Sequence, residues 1–325
     1  MPETSSLEIR EAFRTGIKRL RDANVSSYTL EAELLLLHIL QKDRTYLYAH
    51  PEELITPQQL EKYFSLLARR AAGEPTQHLT GKQEFWGLEF EVNPDVLIPR
   101  PETEHVVEVA LDRLALRELR AGRPQMTDGA GFLIADIGTG SGCLAVALAK
   151  QLSAAQFYAT DISTTALKVA RRNAHRHAVE NRIHFVEADL SHPLRADITP
   201  RPSPARDVSG RSRPNSELAA AFDLVVSNPP YIPRRDATTL SREVRDHEPA
   251  VALFGGEEGY ELYAGLIALA AHHLKPGGIF VAELGHDSLP AVQPLLDAHS
   301  WKAVGVANDL AGIPRVIAAE RADTT

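Results

Sequence analysis

Phe132–Ala149 reads FLIADIGTGSGCLAVALA. An apolar run of strand length ends at a cluster of glycines, and an apolar helical stretch starts directly behind them. Gly138, Gly140 and Gly142 occupy the turn, where absent side chains let backbone approach a ligand. The turn lacks the Gly-Lys-Ser/Thr ending of a phosphate-cradling loop, which disfavours ATP or GTP. Its spacing is not GxGxxG, and it lacks the GxSxG order of a hydrolase elbow. On its own such a turn is weak evidence, so its meaning depends on what surrounds it.

Outward from this turn, strand-like and helix-like runs alternate. QFYATD, RIHFVEAD, FDLVVSN, GIFVAEL, KAVGVAN and RVIAAE read as strands, and STTALKVARRNAHRHA and YELYAGLIALAAHHL read as helices between them. This alternation predicts an α/β domain with a doubly wound, mostly parallel sheet. Only DLAGIP links the last two strands, so they are expected to pair as an antiparallel hairpin at one edge.

Residues 1–73 read as helices only. Phe13, Ile17 and Leu20 recur at helical spacing, and LEAELLLLHIL is apolar enough to sit centrally. A third helix starts at Thr56, with Pro57 at its first position and Gln59 closing a capping box. Leu60, Phe64 and Leu67 form its expected buried face, and Arg69, Arg70 and Gly73 suit its end. EFWGLEFEV then alternates, with Leu88, Phe90 and Val92 on one face, as half of a hairpin within 74–94 that links the helices to a domain spanning 95–325. Residues 195–220 are rich in Pro, Ser and Arg without apolar pattern and read as a disordered insertion.

The chain has 325 residues, 44% hydrophobic and 24% charged, with formal net charge −8. That balance speaks against a generic duplex-binding protein. The single cysteine, Cys143, excludes a disulfide framework within the chain and a multi-cysteine zinc site. It reads as a small apolar residue packed at a helix start. His175 and His177 stand two apart on a helix, and His272 and His273 are adjacent, so neither pair shares a ligand face, and no metal site is expected. With no basic and apolar leader and no apolar run long enough to span a bilayer, a cytoplasmic protein is expected.

The second strand ends in Asp161, about twenty residues past the glycines, where a carboxylate can accept both hydroxyls of a ribose. The third ends in Asp189, before Leu190, where an adenine ring could be flanked. The fourth ends in SNPPYIP, Ser227–Pro233, and so converges on the same crevice. An amide or aromatic amine nitrogen is planar and a poor nucleophile because its lone pair is conjugated. If Asn228 Oδ1 and the Pro229 carbonyl each accept one of its N–H groups, the lone pair can face a methyl donor. Pro229 and Pro230 stiffen the acceptors, and Tyr231 can stack on the flat group. Catalysis would rest on positioning and oriented dipoles.

With these residues in hand, the chain resembles the HemK/PrmC family of protein-(glutamine-N5) methyltransferases, which modify peptide chain release factors. The likeness covers nearly the whole chain: QHLTGKQEFWGLEFEVNPDVLIPRPETE, DIGTGSG, TDIS, SNPPYIP, EPAVALFGGEEG, LKPGGIFVAELG and DLAGIPRV. It implies a class I methyltransferase fold of seven strands plus a small helical domain that helps dock the protein substrate. It implies that Gly138, Thr139, Gly140, Ser141, Gly142, Asp161, Asp189, Leu190 and Asn228 line an S-adenosylmethionine site. Asn228, Pro229, Pro230 and Tyr231 would receive the glutamine of the GGQ loop of a class 1 release factor, with no direct nucleic acid required. Arg100 and Glu102 would border the cofactor pocket. Ser288 stands where glutamine is expected after GHD, Leu190 where some relatives carry an aromatic, and the 195–220 insertion is longer than usual. Rival readings are a glutamine methyltransferase acting on a large-subunit ribosomal protein, an adenine-N6 nucleic-acid methyltransferase, and an inactive adaptor.

Overall fold

The computed structural model describes residues 6–123, 128–189 and 222–323. The described residues fall into two compact units, one drawn from 1–82, 92–94 and 239–248, the other from 83–91, 95–238 and 249–325. The insertion expected at 195–220 lies outside the described residues.

In the first unit, β1 (Leu7–Glu8) leads into α1 (Ile9–Asp22), followed by α2 (Tyr28–Leu40) and α3 (Arg44–Ala49). Then β2 (Leu54–Ile55), antiparallel to β1, precedes α4 (Pro57–Ala71) and α5 (Thr76–Thr80). The start of α4 carries the expected capping box: Thr56 Oγ1 accepts the Gln59 N–H, and the Gln59 side chain accepts the Thr56 N–H. The inward face of α4 is Leu60, Tyr63, Leu67 and Arg70, one position off the expected set. Gly16 explains the rotation. A Cβ there would lie 2.0 Å from Tyr63 Oη, so the tyrosine fills the space that α1 leaves and donates to the Ala32 carbonyl at 3.1 Å. Phe64 is left at the edge, with the Arg19 guanidinium 4.2 Å over its ring.

One further expectation needs correction. Helix α2 buries Ala32, Leu35 and Leu36, but Leu30 and Leu34 on another face are 49% and 40% exposed, so it is not wholly central. Arg70 stands in the last turn of α4, as expected, and is 2% exposed. Its Nε meets Glu31 Oε2 at 3.0 Å and its Nη2 bonds Glu243, which belongs to the returning segment 239–248. A buried guanidinium is tolerable because carboxylates accept its N–H groups.

The hairpin of β3 (Lys82–Phe85) and β4 (Leu88–Glu91) turns at Trp86 and Gly87, whose φ values of 55° and 69° are the left-handed pair that a tight two-residue turn needs. The second unit continues with α6 (Glu104–Arg120), β5 (Leu133–Ile137), α7 (Cys143–Gln151), β6 (Gln156–Asp161), α8 (Thr164–Arg176) and β7 (Ile183–Glu187). It resumes with β8 (Phe222–Ser227) and β9 (Ile232–Pro233). Helix α9 (Arg242–His247) falls in the first unit; α10 (Ala250–Leu253), β10 (Phe254–Gly256), α11 (Glu261–His273), β11 (Leu274–Glu283), α12 (Leu289–Val292), β12 (Trp301–Asn308) and β13 (Pro314–Arg321) complete the second.

Seven strands form one sheet in the order β12-β13-β11-β8-β5-β6-β7. The five from β11 to β7 are mutually parallel, while β13 runs antiparallel to both β11 and β12. The expected closing hairpin is present, with β13 inserted inward and β12 at the edge. Every residue of β8 is buried, as a central parallel strand covered on both faces requires. Leu224 and Val226 pack with Val106, Ala110, Leu144 and Leu148 on one face, and Val225 with Tyr263, Leu266 and Ala270 on the other. Strand order reverses between β5 and β8, which opens a crevice at their carboxyl ends.

Candidate active site

The glycine turn after β5 forms the floor of that crevice. Gly138, Gly140 and Gly142 have φ of +72°, +54° and +83°, a region other residues enter only with strain. A Cβ at Gly138 or Gly140 would meet nothing within 4 Å, whereas one at Gly142 would lie 3.1 Å from Ala170 Cβ. The first two therefore open space to the crevice, and Gly142 lets α7 pack against α8. Asp161, ending β6, accepts the Gly140 N–H at 2.8 Å and the Ser163 N–H at 2.9 Å. Burial raises its pKa, and those two N–H groups act in the opposite direction. Beneath the turn, fully buried Asp136 accepts from Thr139 Oγ1 at 2.6 Å and from the Ala145 N–H at 3.1 Å. Burial pushes its pKa up to about 7, and its Oδ1 has no partner among the described residues.

A cavity of about 430 Å³ sits over the turn, walled entirely by residues of the second unit. Of the residues singled out from the sequence, it brings together Gly138, Thr139, Gly140, Ser141, Asp161, Asp189, Asn228 and Pro230. Gly142, Pro229 and Tyr231 are not in its wall, and Leu190 lies outside the described residues. Arg100 and Glu102 do not line it either; their neighbours Pro99 and Thr103 do. Cys143 does line it, and burial pushes its thiol up to about 12, which makes it a packing group.

Asn228 stands just beyond β8, and its Nδ2 donates to Thr103 Oγ1 at 3.0 Å. Tyr231, three residues on, donates its hydroxyl to Glu283 Oε1, 2.9 Å away. Burial, reinforced by the charge of Glu283, keeps that phenol protonated. The turn is braced from behind by parallel pairing of β9 with β10 and by missing side chains. A Cβ at Gly255 would lie 2.4 Å from the Pro230 carbonyl oxygen, and one at Gly285 would lie 2.9 Å from the Tyr231 ring. Thr103 and Glu283 were not singled out from the sequence. Both lie inside IPRPETE and LKPGGIFVAELG, but no local spacing links them to Asn228.

The cradle fits a nucleoside-bearing methyl donor. Two glycines open onto the cavity, an acid ends the neighbouring strand, and Val96, Leu97, Leu144 and Ile162 give apolar wall. A doubly wound sheet with an inserted antiparallel strand and this turn at its reversal point define a class I S-adenosylmethionine-dependent methyltransferase. Comparison with known proteins narrows the class. Residues 11–81 match the PrmC N-terminal domain, and residues 115–199 match the model of ribosomal protein L11 methyltransferase (PrmA). The release factor glutamine methyltransferase of Koribacter versatilis is 39% identical over 96% of this chain and 98% of its own. That of Nitratidesulfovibrio vulgaris is 37% identical over 98% and 97%. The hMettl16 catalytic domain, solved with the MAT2A 3'UTR hairpin 6, shares the fold at TM-score 0.51 and 13% identity, covering 84% of this chain and 86% of that one. The chain belongs to the release factor glutamine methyltransferase family. Among the described residues no helix is long and apolar enough to cross a membrane.

Proposed function

We propose that this chain transfers a methyl group from S-adenosylmethionine to the side-chain nitrogen (N5) of the glutamine in the GGQ motif of class 1 peptide chain release factors. The observation that carries this reading is the Asn228 amide. Its Nδ2 donates to Thr103, and among the described residues Oδ1 is left to accept from a substrate amide at the cavity. Asn228 Oδ1 and the Pro229 carbonyl take the two N–H groups of the glutamine amide and hold it planar, with its lone-pair face toward the donor. The bound donor supplies an electrophilic methyl carbon on a sulfonium. The nitrogen forms the new N–C bond as the C–S bond breaks, and it then loses a proton to solvent. The chain needs no strong base, since a methylated amide nitrogen bearing positive charge is very acidic. Positioning supplies most of the rate. Gly138, Thr139, Gly140 and Ser141 cradle the donor beside Asp161 and Asp189. Residues 1–73 serve as the docking domain for the release factor, with the hairpin within 74–94 as the link.

The likeness to the ribosomal protein L11 methyltransferase model is confined to 115–199, the part that holds the glycine turn, and does not reach SNPPYIP. The test is incubation with labelled S-adenosylmethionine and a purified release factor, followed by mass mapping. Label is expected on the GGQ glutamine, absent when that residue is replaced, and nearly abolished in Asn228→Ala. Label that persists elsewhere on the substrate would overturn the assignment.

A further inference from the structure

We propose that Val251, on the short helix α10, is a specificity-determining residue: with Phe254 and Arg234 it forms a collar at the mouth of the cavity that admits a glutamine flanked by glycine and refuses one flanked by a residue with a side chain. This deepens, and rests on, the reading that the GGQ glutamine enters at Asn228.

A side chain that lines a cavity and is also open to solvent stands at its mouth. Among the described residues two large apolar side chains meet both conditions, and they mark two rims. Ile162, 50% exposed, directly follows Asp161 and so lies on the side of the glycine turn. Val251, 56% exposed, lies on the side of the transfer corner, because α10 runs straight into β10, where Phe254 pairs with Ile232 of β9. Arg234 completes this second rim, with its guanidinium 5.8 Å over the Phe254 ring.

The collar is tied to the corner and cannot easily give way. Buried Leu253 anchors α10 next to Val251. Gly255 is not among the glycines with left-handed φ, so space alone calls for glycine there. A Cβ on it would collide with the Pro230 carbonyl oxygen, and one on Gly259 with the Tyr231 carbonyl oxygen. The backbone that carries Val251 is thus registered closely against the backbone that follows Asn228.

A glutamine whose carboxamide reaches Asn228 leaves its own backbone, and that of its neighbours, at the rim. A neighbouring glycine offers only backbone, and the valine methyl groups can lie against it. An alanine at that position sets one more carbon where those methyl groups stand. Against a wall held this firmly, one carbon too many is worth on the order of 10- to 200-fold in kcat/KM. Selection then comes from a clash with the wrong sequence as much as from contact with the right one.

The experiment compares full-length wild type, Val251→Ala and Val251→Phe on two purified release factors, one with the native GGQ motif and one altered to GAQ. Both substrates meet every variant, so any effect of alanine on the substrate loop itself cancels between enzymes. Measured are kcat/KM with mass mapping of the label, and S-adenosylmethionine affinity by calorimetry. Wild type should favour GGQ over GAQ by on the order of 10- to 200-fold, and Val251→Ala should narrow that gap on the order of tenfold. Val251→Phe should lower kcat/KM on GGQ by about tenfold or more, while donor affinity stays within about twofold of wild type in both variants. An equal GGQ-to-GAQ ratio in wild type and Val251→Ala, or undiminished kcat/KM on GGQ in Val251→Phe, would overturn the collar alone. A large loss of donor affinity in Val251→Phe would also overturn it, by placing Val251 on the donor's side. Absence of label from the GGQ glutamine in wild type would instead overturn the substrate reading and the collar with it.

Discussion

Gly285→Ala probes the transfer corner by space alone. Gly285 is not among the residues with left-handed φ, so alanine meets no backbone penalty there. Its Cβ, however, would lie 2.9 Å from Tyr231 Cδ2 and 3.0 Å from both Cβ and Cγ. Carbon atoms ordinarily rest about 3.5–4.0 Å apart, so the ring must retreat by roughly 0.6 Å or more. It cannot simply swing aside, because its hydroxyl is held by Glu283 at 2.9 Å. Two prolines of fixed φ join it to Asn228, so the push passes along the corner. Since a misplacement of about 1 Å costs on the order of 100-fold, kcat should fall by roughly tenfold or more. Overpacking should also cost about 1–3 kcal/mol of stability. The assay is initial-rate methyl transfer at saturating donor and release factor, beside calorimetric donor affinity and a thermal melt. A folded variant that turns over within about twofold of wild type would mean that the Tyr231 ring does not hold Asn228 in place, since that is far less than such a displacement should cost.

Asp161→Ala should weaken S-adenosylmethionine binding measured by calorimetry; unchanged affinity would remove Asp161 from the ribose site. Arg70→Met should cost about 3–5 kcal/mol in denaturant unfolding, because Glu31 is left half-buried without its cation. A neutral result would mean that water reaches these carboxylates freely. For Asp136, raised to about 7 by burial, the fold favours the protonated form, so its contribution to stability is fullest below the ordinary carboxylate range and lost as pH rises through about 7. Asp136→Asn removes that titration. Its stability relative to wild type should improve between pH 5 and pH 8, and a difference flat with pH would count against the burial argument.

The sheet was legible because its signals are local. Alternating runs, a glycine turn and strand-end acids each declare themselves within a few residues, and so did the Thr56 capping box. What escaped depends on distance along the chain. Asn228 meets Thr103 across 125 positions, and Arg70 meets Glu243 across 173. Periodicity carries no information about the segment that returns to Arg70 at 239–248. Likewise it placed Phe64 inward, since the vacancy that draws in Tyr63 instead lies at Gly16 on another helix. Tyr231 was read as a stacking platform, and the bond from its hydroxyl to Glu283 was not foreseen. The sequence shows an aromatic beside two prolines but not the direction in which it points.

The central claim is a grip on one carboxamide by two oxygens at the end of β8. It is tested most directly by solving the complex of this chain with S-adenosylhomocysteine and a peptide containing the GGQ motif. The glutamine nitrogen should lie within hydrogen-bond reach of both Asn228 Oδ1 and the Pro229 carbonyl, in line with the sulfur of the cofactor product. A glutamine side chain seated elsewhere, or an Asn228 amide presenting its nitrogen to the substrate, would contradict it.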